Sequence, residues 1–325
     1  MKKIFSFLAV ALIAVGAVSC SKMDVSVALP GEGNVEFTIN TPGELTRATI
    51  GNGENVNIVY YEIYKADRNH KNSVIDGTPL LEGTIKDFPK NNTLSLNMLE
   101  DQEYVALFWA QVDQPQGKEF YDVTDLRYVA AYYKSGEGKD ILANNEDRAA
   151  FCQVHPFSTT DKGYNKSQTV ELVRPFAQLN LGTDKAFLNK DYKITLEESK
   201  MVVKSVGKAF NVAKMKSAAE KMDVVFDFGK VPAEDLEVNK TLYAYAGMNY
   251  FFVPSDEASV NVVYDIKTDV GTVNRTVSNV PVKTNFRTNI LGNLLTQETV
   301  LTIVVDESFN VDENFEGNEV VDGEK

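Results

Sequence analysis

Residues 35–40 alternate strictly: Val35, Phe37 and Ile39 are apolar, and Glu36, Thr38 and Asn40 are polar. A period of two puts the apolar side chains on one face of an extended strand and the polar ones on the other. Thr41-Pro42-Gly43 stops the run. Further runs rich in β-branched and aromatic residues fall at 57–64, 80–85, 93–96, 103–112 and 169–181, then at 193–196, 200–206, 224–228 and 241–245. Residues 259–268 and 272–280 flank Asp269-Val270-Gly271 and read as a hairpin. Two minor helices are expected, one near 125–133 and one at 213–221, which is rich in Ala, Lys, Met and Glu. The rest of 113–167 is irregular. Many short strands parted by turn signals mark an all-β chain of sandwich type and exclude a parallel α/β sheet. The 325 residues hold enough chain for two cores, and Gly182-Thr183-Asp184 is the expected boundary between 48–183 and 184–325.

The first twenty residues, MKKIFSFLAVALIAVGAVSC, are of another kind. Lys2 and Lys3 make a positive head, and residues 4–15 an apolar run too short to stay in a bilayer as a spanning helix. Ala17-Val18-Ser19 then sets small residues before Cys20, which resembles the lipobox of bacterial lipoproteins. In that class the cysteine is acylated and becomes the new N-terminus. The chain is therefore expected to be exported and held to a membrane by lipid alone. A polar tether, 21–34, leads into the first strand. After that strand comes Leu45-Thr46-Arg47-Ala48 and then Gly51-Asn52-Gly53, so Arg47 is expected in an exposed loop within reach of a protease.

Chemistry is hard to find in the remaining residues. Lys and Arg total 33 against 46 Asp and Glu, a net charge of -13, and so acidic a chain repels phosphate backbones; nucleic acid is not an expected partner. With Cys20 acylated, Cys152 is the sole thiol and no internal disulfide can form. Set near Phe151 and Val154, Cys152 reads as a small buried hydrophobe and not a nucleophile. His70 and His155 are the two histidines, and neither has a partner at metal-ligand spacing, so no metal is expected. Nucleophile-elbow and phosphate-loop patterns are missing as well; no catalytic residue, cofactor or enzyme activity is expected. Asp306-Glu307 and Asp312-Glu313 read as solvated charge, with calcium as the alternative. The aromatics Tyr60, Tyr61, Tyr64, Phe108, Trp109, Tyr132 and Tyr133 fall mostly in strand-like runs, where such rings fill cores. Displayed on a surface they would instead make a sugar platform. A glycan-binding protein that stays lipid-anchored is accordingly the alternative function.

Four features stand in one order: the Cys20 lipobox; a strand followed by Leu45-Thr46-Arg47-Ala48; the segment Val173-Arg174-Pro175-Phe176-Ala177-Gln178-Leu179-Asn180; and Arg287-Thr288-Asn289-Ile290-Leu291-Gly292-Asn293-Leu294-Leu295-Thr296 ahead of a last strand. Together they resemble the fimbrillin (FimA/Mfa-like) family, the type V pilins of Gram-negative anaerobes. The resemblance implies two tandem transthyretin-like β-sandwiches. It also implies a lipoprotein precursor that reaches the outer membrane and the cell surface and is cut between Arg47 and Ala48 by an arginine-specific protease, which removes residues 21–47 and with them the strand bearing Val35, Phe37 and Ile39. A strand from another fimbrial subunit would fill the vacated groove, so that subunits chain into a fimbrium that supports adhesion. Residues 299–306 carry Leu301, Ile303 and Val305 at the same two-residue spacing and are the expected donor strand.

Overall fold

The computed structural model of the chain describes residues 32–42, 53–67, 70–74, 77–132, 141–160, 166–185, 188, 193–255, 257–296, 301–306 and 320–322. The protein is all-β. In chain order the strands are β1 (Glu32–Asn40), β2 (Ile58–Asp67), β3 (His70–Val74), β4 (Leu81–Lys86), β5 (Thr93–Leu99), β6 (Glu103–Gln111), β7 (Tyr121–Asp122), β8 (Val129–Ala131), β9 (Ala150–Ser158), β10 (Ser167–Glu171) and β11 (Ala177–Asp184). They continue with β12 (Leu196–Gly207), β13 (Ala209–Asn211), β14 (Lys216–Ser217), β15 (Lys221–Lys230), β16 (Asp235–Val238), β17 (Thr241–Phe251), β18 (Glu257–Thr268), β19 (Gly271–Lys283), β20 (Arg287–Gly292), β21 (Leu301–Asp306) and β22 (Val320–Asp322).

Two sheets enclose a first core. One is three-stranded, in the order β10-β1-β5; the other runs β3-β2-β6-β9, with β4 also paired to β2. Val35, Phe37 and Ile39 from the first sheet meet Val59, Ile63, Ala106, Phe108, Phe151 and Phe157 from the second. A larger core lies with the six-stranded sheet β16-β17-β11-β20-β21-β22 and the four-stranded sheet β15-β12-β18-β19. It also takes in Tyr64, Val105, Leu107, Trp109, Ala150 and Cys152 from β2, β6 and β9. The β2-β6-β9 sheet is therefore buried on both faces, one in each core. This explains why β6 reads EYVALFWAQ, an almost unbroken apolar run without alternation.

The same double burial accounts for β9, which the irregular reading of 113–167 misses. Phe151 and Phe157 point to one core and Ala150 and Cys152 to the other, so no period of two survives. Pro156 lies on this outermost strand of its sheet, the position where a strand tolerates proline. The hairpin at Asp269-Val270-Gly271 is present as β18 and β19, paired from Glu257↔Lys283 to Thr268↔Gly271.

Neither expected helix forms. Residues 125–133 include β8, and Leu126 and Val129 are fully buried. At 213–221 a single 3-10 turn, Val212–Lys214, ends at Met215 in the left-handed region (φ 50), and β14 and β15 follow. Local helix preference is worth tenths of a kcal/mol per residue, and burial of Phe210 and Val212 overrides it. The run at 169–181 is two strands, β10 and β11, parted at Arg174-Pro175-Phe176. The expected boundary residues Gly182, Thr183 and Asp184 lie inside β11, whose neighbours are β17 and β20.

Candidate functional site

The site begins with β1. It is the middle strand of its sheet, antiparallel to β5 from Glu32↔Leu99 to Thr38↔Thr93 and parallel to β10 from Glu36↔Ser167 to Asn40↔Glu171. Backbone bonds extend the pairing, from Glu36 N to Lys166 O (2.7 Å), Ile39 N to Asn92 O (2.8 Å) and Leu172 N to Asn40 O (2.9 Å). On the outer face the Asn40 side chain donates to Glu171 Oε1 at 2.8 Å.

On the inner face Val35, Phe37 and Ile39 expose no surface at all. Three buried apolar side chains contribute about 5–9 kcal/mol before the cost of ordering the strand. Phe37 is enclosed by rings. Phe108 lies 5.6 Å from its centroid, Phe157 5.1 Å and His155 6.0 Å, the last two edge-on at 84° and 87°. His155 is itself steadied by a 3.1 Å hydrogen bond between Nε2 and Gln168 Oε1, and Gln168 is the β10 residue paired with Phe37. Without β1, both β5 and β10 would present unpaired backbone along the rim of an apolar groove.

β1 ends at Asn40, and after Pro42 the described residues resume at Gly53. Gly53 adopts φ +76, and a Cβ there would stand 2.5 Å from the Phe151 ring, so only glycine lets the chain re-enter so close to the core. Arg47 and Ala48 belong to the connection between and lie outside the described residues, as does Cys20.

The expected donor residues are placed in their own chain. Leu301, Ile303 and Val305 lie on β21, between β20 and β22 in the six-stranded sheet. Ile303 and Val304 are both buried in the larger core, while Leu301 and Val305 are half-buried.

The two segments singled out at 173–180 and 287–296 come together as adjacent parallel strands, with Gln178 opposite Arg287 and Asn180 opposite Asn289. Their side chains form a buried polar network. Asn180 Nδ2 donates to Asn289 Oδ1 (2.7 Å), and the Tyr245 hydroxyl and Gln178 Nε2 donate to Asn180 Oδ1 (2.6 and 2.9 Å). Beside it Arg174, with no exposed surface, lays its guanidinium 4.6 Å from the centroid of Phe151. Burial, opposed by Tyr250 and aided by Arg287, pushes that guanidinium down to about 9, still charged at neutral pH. Nothing in the spacing signals that these segments meet, because their strands are far apart in sequence.

Among the described residues, the remaining candidates are not gathered at one place. Cys152 is fully buried, and burial pushes its thiol up, away from the reactive thiolate. The side chain of His70 lies outside the described residues, and among those described no cluster of His, Cys, Asp and Glu is built to hold a metal. The aromatics do not share a surface: Tyr61 and Phe108 face the first core, whereas Tyr60, Tyr64 and Trp109 face the larger one. Tyr132 is half-buried, and Tyr133 is outside the described residues. One buried carboxylate is notable. Glu62 accepts from the Tyr64 hydroxyl (2.7 Å) and the Leu126 backbone N–H (3.0 Å), and burial holds its carboxyl above the usual range.

No curated protein matches the chain. Among solved structures, it is similar to a putative polysaccharide binding protein from Bacteroides thetaiotaomicron, at 12% identity and TM-score 0.48, over 87% of this chain and 99% of that one. A fimbrial assembly protein from Parabacteroides distasonis is similar at 12% identity and TM-score 0.46, over 89% and 99%. The tip fimbrial protein Mfa3 from Porphyromonas gingivalis, with a C-terminal truncation, is similar at 9% identity and TM-score 0.45, over 84% and 99%. Residues 26–322 match the family of unknown function DUF6562, and the chain belongs to that family.

Proposed function

We propose that the protein is a structural subunit of a surface filament, a fimbrium supporting adhesion, made as a lipoprotein precursor and assembled by strand exchange after proteolysis. The observation that carries this reading is β1: a central strand with three fully buried side chains, joined to the rest of the fold through a connection that contains Arg47. Hydrolysis of the Arg47–Ala48 peptide bond would leave β1 attached to the lipid-bearing end and held to the fold only by its pairing and its side chains. Departure of β1 opens the groove, and a strand from another subunit restores both ladders by β-augmentation. The cost of an empty apolar groove supplies the drive to polymerise.

The partners implied are other fimbrial subunits, an arginine-specific protease, and the outer membrane through the Cys20 lipid until cleavage. The test is to treat purified residues 21–325 with an arginine-specific protease. The expected result is a chain beginning at Ala48 and a ladder of higher-mass species. A chain uncut at Arg47, or one cut and permanently monomeric with β1 in place, overturns the proposal.

A further inference from the structure

A strand at the edge of a sheet exposes unpaired backbone, and proteins protect such edges with charge, proline or a bulge. Among the described residues the edge strands of this chain follow that rule: Pro156 lies on β9, Glu82 and Lys86 on β4, Glu171 on β10, Asp235 and Glu237 on β16, and Arg275 and Pro281 on β19. β5 does not. Its seven residues, Thr-Leu-Ser-Leu-Asn-Met-Leu, hold neither a charge nor a proline, and its pairing with β1 runs from Glu32↔Leu99 to Thr38↔Thr93 without a bulge. Among the described residues no strand lies on its other side. Short, uncharged, β-prone segments of this kind pair readily with another chain. The side chains agree. Val35 and Phe37 are fully buried, yet Leu96 and Leu94, their partners on the same face of β5, are only half-buried. The first core is therefore open along β5. β4 runs into the turn at 87–92 and β5 runs out of it, so β4 borders the same open side, where Leu81 is 39% exposed.

We infer that the free edge of β5 is a self-association surface, on which β5 of a second copy of this chain pairs antiparallel about a two-fold axis at Leu96. In that register the strand complements itself. Leu96 meets its own copy and Leu94 meets the partner's Met98 on the inner face, while Ser95 meets the partner's Asn97 on the outer face. Because β5 carries no charge, the pairing sets no like charges against each other. Beyond its two ends stand the exposed Lys90 and Glu100, and antiparallel pairing brings the basic end of each copy to the acidic end of the other. The contact is isologous, and it merges two three-stranded sheets into one of six strands. One pair of seven-residue strands makes a small interface, so the dimer belongs to the weak class. It forms with β1 in place and needs no proteolysis, so it stands apart from strand exchange.

The test is sedimentation equilibrium of uncut residues 21–325 between about 1 and 500 μM, the range of a weak interface. The mass is expected to climb from one chain towards two. Ser95→Lys with Asn97→Lys sets lysine opposite lysine twice, on the exposed face of β5, where Glu36 lies beside Ser95 and the core is not touched. This pair is expected to weaken the dimer at least about tenfold while leaving the urea midpoint nearly unchanged. Thr272→Lys with Thr276→Lys, on exposed positions of the edge strand β19, is the control and should leave the mass profile as it was. Amide exchange of β5 in the unaltered chain gives an independent reading, and it should slow from the low to the high end of that concentration range. A single-chain mass throughout, a dimer that both lysine pairs weaken alike or neither weakens, or β5 exchange that does not change with concentration overturns the inference.

Discussion

Replacing Phe37 with alanine is the sharpest single test of what holds β1 in place. The side chain is fully buried and touches three rings, so its removal takes away both the transfer free energy and the packing of a large aromatic. Phe→Ala changes in cores cost about 3–5 kcal/mol. In the uncut chain that loss weakens the first core, and a fold tied by covalent connection tolerates it. After cleavage the same loss falls on a non-covalent contact, where 3–5 kcal/mol is about 10²- to 10⁴-fold in dissociation constant. The assay is size-exclusion chromatography of cleaved protein, with mass spectrometry for the fragment 21–47 in the main peak. Immediately after cleavage, before exchange with other subunits, the unaltered fragment should co-elute at low micromolar protein, and the Phe37→Ala fragment should already be lost. Glu36→Ala, on the exposed face of the same strand, is the control and should change retention little. Equal retention of the Phe37→Ala and control fragments would refute the claim that the inner-face side chains hold the strand.

Arg47→Ala should leave the precursor uncut by an arginine-specific protease between β1 and β2 and block the mass ladder, read by N-terminal sequencing and gels; an unchanged ladder would place the trigger elsewhere. Gly53→Ala should destabilise the fold by about 1–3 kcal/mol through its clash with Phe151, measured as a urea midpoint. Gly117→Ala, also at positive φ but with nothing within 4 Å, should cost less, and equal losses would remove the role given to the Phe151 contact. Burial raises the Glu62 carboxyl, so at intermediate pH the native state binds more protons than the unfolded chain, and stability falls as pH rises towards the raised value. Glu62→Gln should flatten that slope in urea melts recorded across the acidic range. Parallel pH profiles for the two proteins would show that Glu62 titrates alike in both states.

How far the fold can be read from the residues depends on how many faces of each strand are buried. β1 and β18 keep one face towards solvent, and their alternation announces them. β6 and β9 serve two cores, and their side chains are apolar, or merely small, on both sides. Arg174 breaks the run at 169–181 as a fully buried cation over Phe151, which no rule of polar residues outside would anticipate. The helix expected at 213–221 was a matter of composition alone, and the burial of neighbouring Phe210 and Val212 decided otherwise. As for the site, the apolar triplet of β1 was legible, whereas Arg47 lies outside the described residues. The ring cage was not legible, because Phe108, His155 and Phe157 come from strands 70 or more positions away and meet Phe37 only across a sandwich.

The shared β2-β6-β9 sheet has a mechanical consequence. A sandwich that loses a middle strand ordinarily slumps, its opposite wall drifting in to cover the exposed hydrocarbon. Here that wall is bolted from behind: Trp109, on the far side of β6 from Phe108, is wedged edge-on against Tyr121 and Phe252, whose anchorage owes nothing to β1. The empty slot should therefore keep its form, like a mould whose back plate stays fixed while its insert is changed.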